Sequence, residues 1–138
     1  MSAGYSGTPL YKKLGLTEGM RLGLDNPPAE FVGLTLLPVP AGVTMATRIA
    51  GNMDIVMGFY DRRRDLEKRL PVLRRRIPDD GAIWIAWPKK TSRVPTDITE
   101  DVVREVALPT GLVDNLVCAI DEVWSGLRLV IAVENRAS

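Results

Sequence analysis

The sequence predicts a three-layer α/β sandwich: a mostly parallel sheet with helices on both faces, closed by an antiparallel hairpin at the carboxyl terminus. Three observations predict it. Strand-like and helix-like segments alternate in the order β-α-β-β-α-β-α-β-β along the 138 residues, and such alternation requires crossover helices that pack on the sheet faces. The segments 53–59 and 82–87 are nearly continuous apolar runs of strand length, the composition of strands covered on both sides. Two further apolar runs, 116–120 and 127–133, are separated by a short polar turn and should pair antiparallel.

The elements follow in order. The head is rich in Gly, Ser and Thr, and residues 1–10 are expected to be loosely held within one domain spanning 1–138. Met20-Arg21-Leu22-Gly23-Leu24 alternates and reads as the first strand. Asn26 can cap a following helix and Pro27-Pro28 suit its first turn, with Phe31, Leu34 and Leu37 as its apolar face. Val43 to Thr47 is a short strand. Met53 to Phe59 is a buried strand interrupted by Asp54. Asp61 opens the longest helix, where Leu66, Leu70, Leu73 and Ile77 recur at spacings that share one face; Pro71 should kink it. Ala82 to Trp87 is rich in β-branched and aromatic residues and reads as a strand. Trp84 and Trp87, three apart, should point to opposite faces. Thr99 can cap a helix whose first turn holds Glu100 and Asp101, with Val102, Val103 and Val106 inward. Pro109-Thr110-Gly111 stops it. Asp121 to Gly126 is the turn of the closing hairpin, and its Trp124 should pack locally.

Composition excludes several functions. Net charge is +1, with 46% hydrophobic and 25% charged residues, so no global field draws in nucleic acid or an acidic membrane. No apolar run approaches the roughly 20 residues of a membrane span. One cysteine, Cys118, permits no internal disulfide, and the cytoplasm is the expected compartment. The chain has no histidine, which removes Ser-His-Asp and Cys-His catalysis and the commonest zinc ligand. No spaced acidic cluster suggests a metal, and none is expected.

Met53-Asp54-Ile55-Val56, "LPVLRRRIPDDGAIWI" from Leu70 to Ile85, and Leu127-Arg128-Leu129-Val130 resemble the "DxV" strand, the helix–turn–strand segment and the last antiparallel strand of class I methyltransferases. The resemblance implies a Rossmann-like fold of methyltransferase topology, shortened by one strand–helix unit. The first half departs from that family. Asp25-Asn26-Pro27-Pro28-Ala29-Glu30 stands where the family has a glycine-rich turn, and Thr47-Arg48 where it has an acidic residue at the end of its second strand. On that ground no cofactor is expected, S-adenosylmethionine included. The stretches "GYSGTPLYKKLGLTEGMRL", "WPKKTSRVPTDITEDVVRE" and "VDNLVCAIDEVWSGLRLV" are similar to a family of small bacterial proteins of the type labelled domain of unknown function. That resemblance covers nearly the whole chain and implies the same shortened fold without an activity.

Candidate site residues come from position. In open α/β sheets, ligands sit outside the carboxyl ends of the strands. The loop "WPKKTSRVPTDITED" leaves such an end, and Trp87, Lys89, Lys90, Thr91, Ser92 and Thr96 offer it an aromatic wall, positive charge and hydroxyls. Asn26 and Asp54 are expected to face the same cleft, Asp54 being the best-placed acid or base. No catalytic residue is assigned. A second candidate is the long helix, which carries eight basic residues against three acidic ones between 61 and 76. There Arg62, Arg63, Lys68, Arg69, Arg75 and Arg76 could meet a protein partner or, less in keeping with the net charge, nucleic acid; such binding would be salt-sensitive. The leading expectation is a non-catalytic, degenerate methyltransferase-like module for a small anion or a protein partner. The alternatives are a small transferase using the carboxyl-end cleft, and a binder acting through the basic helix.

Overall fold

The computed structural model describes residues 8–36 and 38–136. Most of the head expected to be loose lies outside the described residues, but Leu10 belongs to a short helix, α1 (Leu10–Leu14), which the sequence reading missed. Leu10 and Leu14 are buried. The helix stops where Gly15 turns left-handed, with φ 80°. The strands are β1 (Arg21–Asp25), β2 (Thr44–Ala46), β3 (Ile55–Phe59), β4 (Ala82–Pro88), β5 (Leu112–Ala119) and β6 (Trp124–Ile131). The two longer helices are α2 (Arg63–Arg74) and α3 (Glu100–Ala107).

These strands form one six-stranded sheet in the order β2-β1-β3-β4-β6-β5. The first four are parallel, and β6 inserts antiparallel between β4 and β5. The closing hairpin is thus present, with β6 the one strand running against the rest. Two apolar layers sandwich the sheet. On one face α2 and α3 bring Leu66, Leu70, Leu73, Val103 and Ala107 against Val56, Ile83, Ile85, Leu127 and Leu129. On the other, Leu10, Leu14, Phe31 and Leu36 cover Leu24, Met57, Phe59 and Trp84. Trp84 and Trp87 do lie on opposite faces, as a period of two requires.

Several local expectations are corrected. The helix expected after Asn26 is a single π-helical turn, Phe31–Thr35, and Asn26 does not cap it. Asn26 takes the left-handed conformation (φ 57°) and donates from Nδ2 to the Phe59 carbonyl at 3.0 Å. Of that turn's expected apolar face, Leu37 and the side chain of Leu34 lie outside what the structure describes. Helix α2 starts at Arg63 rather than Asp61, because Asp97 Oδ1 accepts the Arg63 N–H at 2.6 Å and so caps it from a distant loop. Pro71 is accommodated inside α2, which continues past it to Arg74. The hairpin turn is shorter than expected: Asp121 Oδ1 accepts the N–H groups of Val123 and Trp124, both at 2.8 Å, so Trp124 already begins β6. Trp124 packs edge-on to Phe59 with ring centroids 5.3 Å apart. Strand β5 begins at Leu112 rather than Leu116, with an irregularity between Asp114 and Leu116 that hid it from a pattern search. Cys118 sits on this edge strand, half-buried rather than in the core, and partial burial raises its thiol pKa.

Helix α3 begins where its sequence says. Thr99 is extended, and its hydroxyl accepts the Val102 N–H at 3.2 Å. Thr99→Ala should therefore cost about 1 kcal/mol in urea unfolding, the usual value of such a cap.

Candidate functional site

The strand order reverses between β1 and β3: the chain leaves β1 toward β2 on one side and returns as β3 on the other. That switch point is where an α/β sheet opens a crevice at its carboxyl ends. Register places Asp25 beside Gly58 at this edge. The Tyr60 N–H reaches the Ala86 carbonyl at 3.1 Å, carrying the edge on to β4. Tyr60 and Trp87 belong to the face covered by α2 and α3, and Asp25 joins them there through Arg69 of α2.

Asp25 gathers this corner. Its Oδ2 accepts the Tyr60 hydroxyl and the Arg69 Nε at 2.9 Å, and its Oδ1 accepts Arg69 Nη2 at 3.2 Å. The bidentate fork is the arrangement for which guanidinium geometry is suited. It requires Gly58, because a Cβ there would lie 2.6 Å from the Tyr60 ring. Burial, then the hydrogen bond to Asp25, pushes the Tyr60 phenol well above its ordinary range, so it stays a neutral donor. The hydrogen bonds it donates to Asp25 hold the Arg69 guanidinium more firmly charged. A cleft of about 290 Å³ opens over this group, lined by Asp25, Asn26, Tyr60, Asp65, Lys68 and Arg69.

The sign of the Tyr60 shift sets a pH prediction. Its folded pKa lies above the value of about 10 in an unfolded chain, so its contribution is whole below about pH 10 and declines as pH rises further. Urea unfolding between about pH 8 and pH 11 should show wild-type stability falling at the alkaline end, and Tyr60→Phe should flatten that fall. An equally steep fall in the variant would assign it to other groups.

A second cleft of about 360 Å³ opens at the end of β4, lined by Trp87, Pro88, Lys90, Thr96, Ile98, Thr99 and Glu100. Of the residues singled out in the loop, Trp87, Lys90 and Thr96 line it. Lys89, Thr91 and Ser92 do not. Lys89 ties its N–H to the Val123 carbonyl at 2.7 Å, and Ser92 turns its hydroxyl back to the Lys89 carbonyl at 2.6 Å. Asn26 belongs to the first cleft. Asp54 is at neither: it precedes β3 at the amino end of the sheet, where Oδ2 accepts the Arg21 N–H at 2.8 Å. There it lines a separate recess of about 330 Å³ with Arg21, Asn52 and Pro78. The expectation of one cleft shared by Asp54, Asn26 and the loop is corrected, because sequence pattern marks a strand but not which end a flanking residue occupies.

The basic run does not form one patch. Helix α2, with its 12 residues, spans about 18 Å, so Arg62 and Lys68 lie toward the carboxyl edge and Arg75 and Arg76 toward the amino edge. Arg63 is engaged by Glu67 at 3.2 Å and Glu105 at 2.9 Å, and Arg69 by Asp25. Arg62, Arg64, Lys68 and Arg75 remain exposed. Asp25, Tyr60 and Ile98 were missed as site residues. Their signal was positional: Asp25 ends one strand and Tyr60 follows another, on adjacent strands at the switch point. Among the described residues no group of three His, Cys, Asp or Glu side chains could hold a metal ion, and no helix is long and apolar enough to cross a membrane.

No family model matches the sequence, and no curated protein matches it. Solved structures do match its fold. An S-adenosylmethionine-dependent methyltransferase from Aquifex aeolicus is similar with a TM-score of 0.62 at 16% identity, over 89% of this chain and 88% of that one. The N-methyltransferase NodS from Bradyrhizobium japonicum gives a TM-score of 0.61 at 10% identity, over 89% and 92% of the two chains. The magnesium protoporphyrin IX methyltransferase of Synechocystis, solved with bound S-adenosylmethionine, gives 0.58 at 12% identity, over 89% and 74%.

These likenesses overturn two expectations. A non-catalytic module was the leading reading and no cofactor was expected, yet the fold's neighbours are methyltransferases, some holding S-adenosylmethionine or S-adenosylhomocysteine. The argument from the missing glycine-rich turn weighed one loop against a whole topology. The mostly parallel sheet, its antiparallel closing strand and these neighbours establish the class I methyltransferase-like, Rossmann-like fold for this chain.

Proposed function

We propose that this protein is a small transferase of the S-adenosylmethionine-dependent methyltransferase type, working at the carboxyl edge of its sheet. The observation that carries this reading is the cleft at the β1/β3 switch point, built around Asp25. The neighbours' bound S-adenosylmethionine supports it through the shared fold.

The chemistry of the donor set fits that group. S-adenosylmethionine presents an ammonium and hydroxyls that need acceptors, and a carboxylate that needs a cation. The cleft offers the carboxylates of Asp25 and Asp65, the amide of Asn26, and the exposed ammonium of Lys68. Asn26 contributes in a second way. Its left-handed backbone performs the turn at the end of β1 that a glycine would otherwise supply. When bound, S-adenosylmethionine would supply a methyl carbon activated on a sulfonium. Arg69 orients the Asp25 carboxylate through two hydrogen bonds, and the buried, neutral Tyr60 holds the same carboxylate from the sheet side. Lys68 provides positive charge at the cleft's rim. This reading is consistent with membership of the small bacterial family the sequence resembles, and with a reducing cytoplasm.

Thermal unfolding of the full chain with S-adenosylmethionine and S-adenosylhomocysteine tests it. At 100 times the dissociation constant either ligand should add about 2.7 kcal/mol of stability, and Asp25→Ala should abolish the shift. No shift with either ligand at millimolar concentration would sink the reading.

A further inference from the structure

We propose that the cleft beside β4 is a second binding site, for a small planar molecule carrying a carboxylate or phosphate. Calling that molecule the methyl acceptor rests on the transferase reading; the site itself rests on its own residues.

The argument begins with which polar groups are already committed. Glu100 contributes the cleft's carboxylate, but Arg104 engages it at 2.5 Å. Thr96 Oγ1 is satisfied in both directions: it donates to the Asp61 carbonyl at 2.7 Å and accepts the Ile98 N–H at 3.0 Å. Thr99 Oγ1 accepts the Val102 N–H, which caps α3 and leaves its own proton free to donate outward. Among the described residues no carboxylate pairs with Lys90, whose side chain is exposed at the rim. One uncompensated positive charge and one hydroxyl donor therefore face this space.

The rest of its wall is apolar. Trp87 is 7% exposed and Ile98 2% exposed, and Pro88 adjoins them. The rim is held in place. Residues 90–92 form a 3₁₀ turn, Ser92 Oγ bonds the Lys89 carbonyl at 2.6 Å and the Val94 N–H at 3.2 Å, and Arg93 closes the turn with φ 63°. The Lys89 N–H bond to Val123 anchors the turn to the closing hairpin. The complement of one ammonium, one hydroxyl donor and an indole wall is a planar anion. A space of about 360 Å³ takes a small molecule, not a folded domain. The exposed cations of α2 pull toward a polyanion instead, and that alternative is read in the same experiment.

The test is calorimetric titration of the full chain with 4-hydroxybenzoate and with phenyl phosphate, alongside benzamide as the neutral isostere and a single-stranded RNA oligonucleotide as the polyanion. Expected is saturable binding of at least one small anion and none of benzamide. Lys90→Ala should weaken the anion by roughly 10–100-fold, the loss of one charge-assisted hydrogen bond. Lys90→Arg should recover part of it, and Arg75→Ala, at the far end of α2, should change nothing. Indole fluorescence should respond to the anion in the wild type and lose that response in Trp87→Phe. Failure of both anions to bind, binding indifferent to Lys90→Ala, equal binding of benzamide, or binding of the RNA alone would each overturn the proposal. Stabilisation by S-adenosylmethionine with no anion binding sinks this inference and leaves the transferase reading. Anion binding without any adenosyl ligand shift sinks the transferase reading and leaves this site.

Discussion

Trp84→Ala is expected to lower the free energy of unfolding by about 3–5 kcal/mol, the largest single-residue loss in the chain. Trp84 is fully buried at the centre of the sheet, in β4 between β3 and β6. On its face it packs with Leu14, Phe59 and Ile120. Its Nε1 donates to the Leu14 carbonyl at 3.1 Å, which is the polar link that docks α1. Truncation would open a cavity and leave that carbonyl without its donor, two costs that act together. A fall in melting temperature of roughly 10–20 °C should follow for a domain of this size. Trp84→Phe separates the terms: it keeps most of the volume, loses the hydrogen bond, and should cost about 1–2 kcal/mol. A loss below about 2 kcal/mol for Trp84→Ala would mean that the covering layer collapses freely into the space, so that α1 is not a fixed part of the core.

Asp25→Ala carries the second large effect, and it falls on both stability and ligand binding. The carboxylate is the acceptor for three hydrogen bonds from two residues. Its loss strands the buried Tyr60 hydroxyl, at about 1–3 kcal/mol. Arg69 is about a third exposed and can turn its charge to water, so the full penalty of a broken buried pair does not apply. The expected sum is roughly 2 kcal/mol in urea unfolding, with loss of any stabilisation by S-adenosylmethionine. A double-mutant cycle with Arg69→Leu should show a coupling of about 1 kcal/mol. Additive losses would mean that the fork seen between the two side chains contributes nothing in solution.

The sequence exposed the architecture unevenly. Long apolar runs such as 82–87, and the spacing of Leu66, Leu70 and Leu73, announced β4 and α2, because burial on one or both faces leaves a periodic mark in the chain. Thr99 followed by two acids announced the start of α3 for the same local reason. Helix α1 and the first half of β5 gave no such mark. Tyr11, Lys12 and Lys13 blur a helix of only five residues, and Asp114-Asn115 looks like a turn until its pairing with β6 is known. Of the clefts, Trp87, Lys90 and Thr96 could be nominated because one loop holds them. Asp25, Tyr60 and Arg69 could not be grouped, since they come from β1, the segment after β3, and α2.

By itself, then, the chain determined what short-range physics writes into it: the alternation of strands and helices, the opposite facings of Trp84 and Trp87, the antiparallel closing pair, and the exclusion of histidine-based and disulfide chemistry. The tertiary structure decided what depends on residues distant in sequence. It placed Asp54 at the amino end of the sheet and Asn26 at the carboxyl end, a distinction no local pattern encodes. It started α2 at Arg63 because Asp97, 34 residues away, supplies the cap. It brought Asp25, Tyr60 and Arg69 together because the sheet places β1 beside β3 and α2 packs across their ends. Local composition fixes the elements through burial and backbone preference; only the pairing order of the strands decides which of their ends share a site.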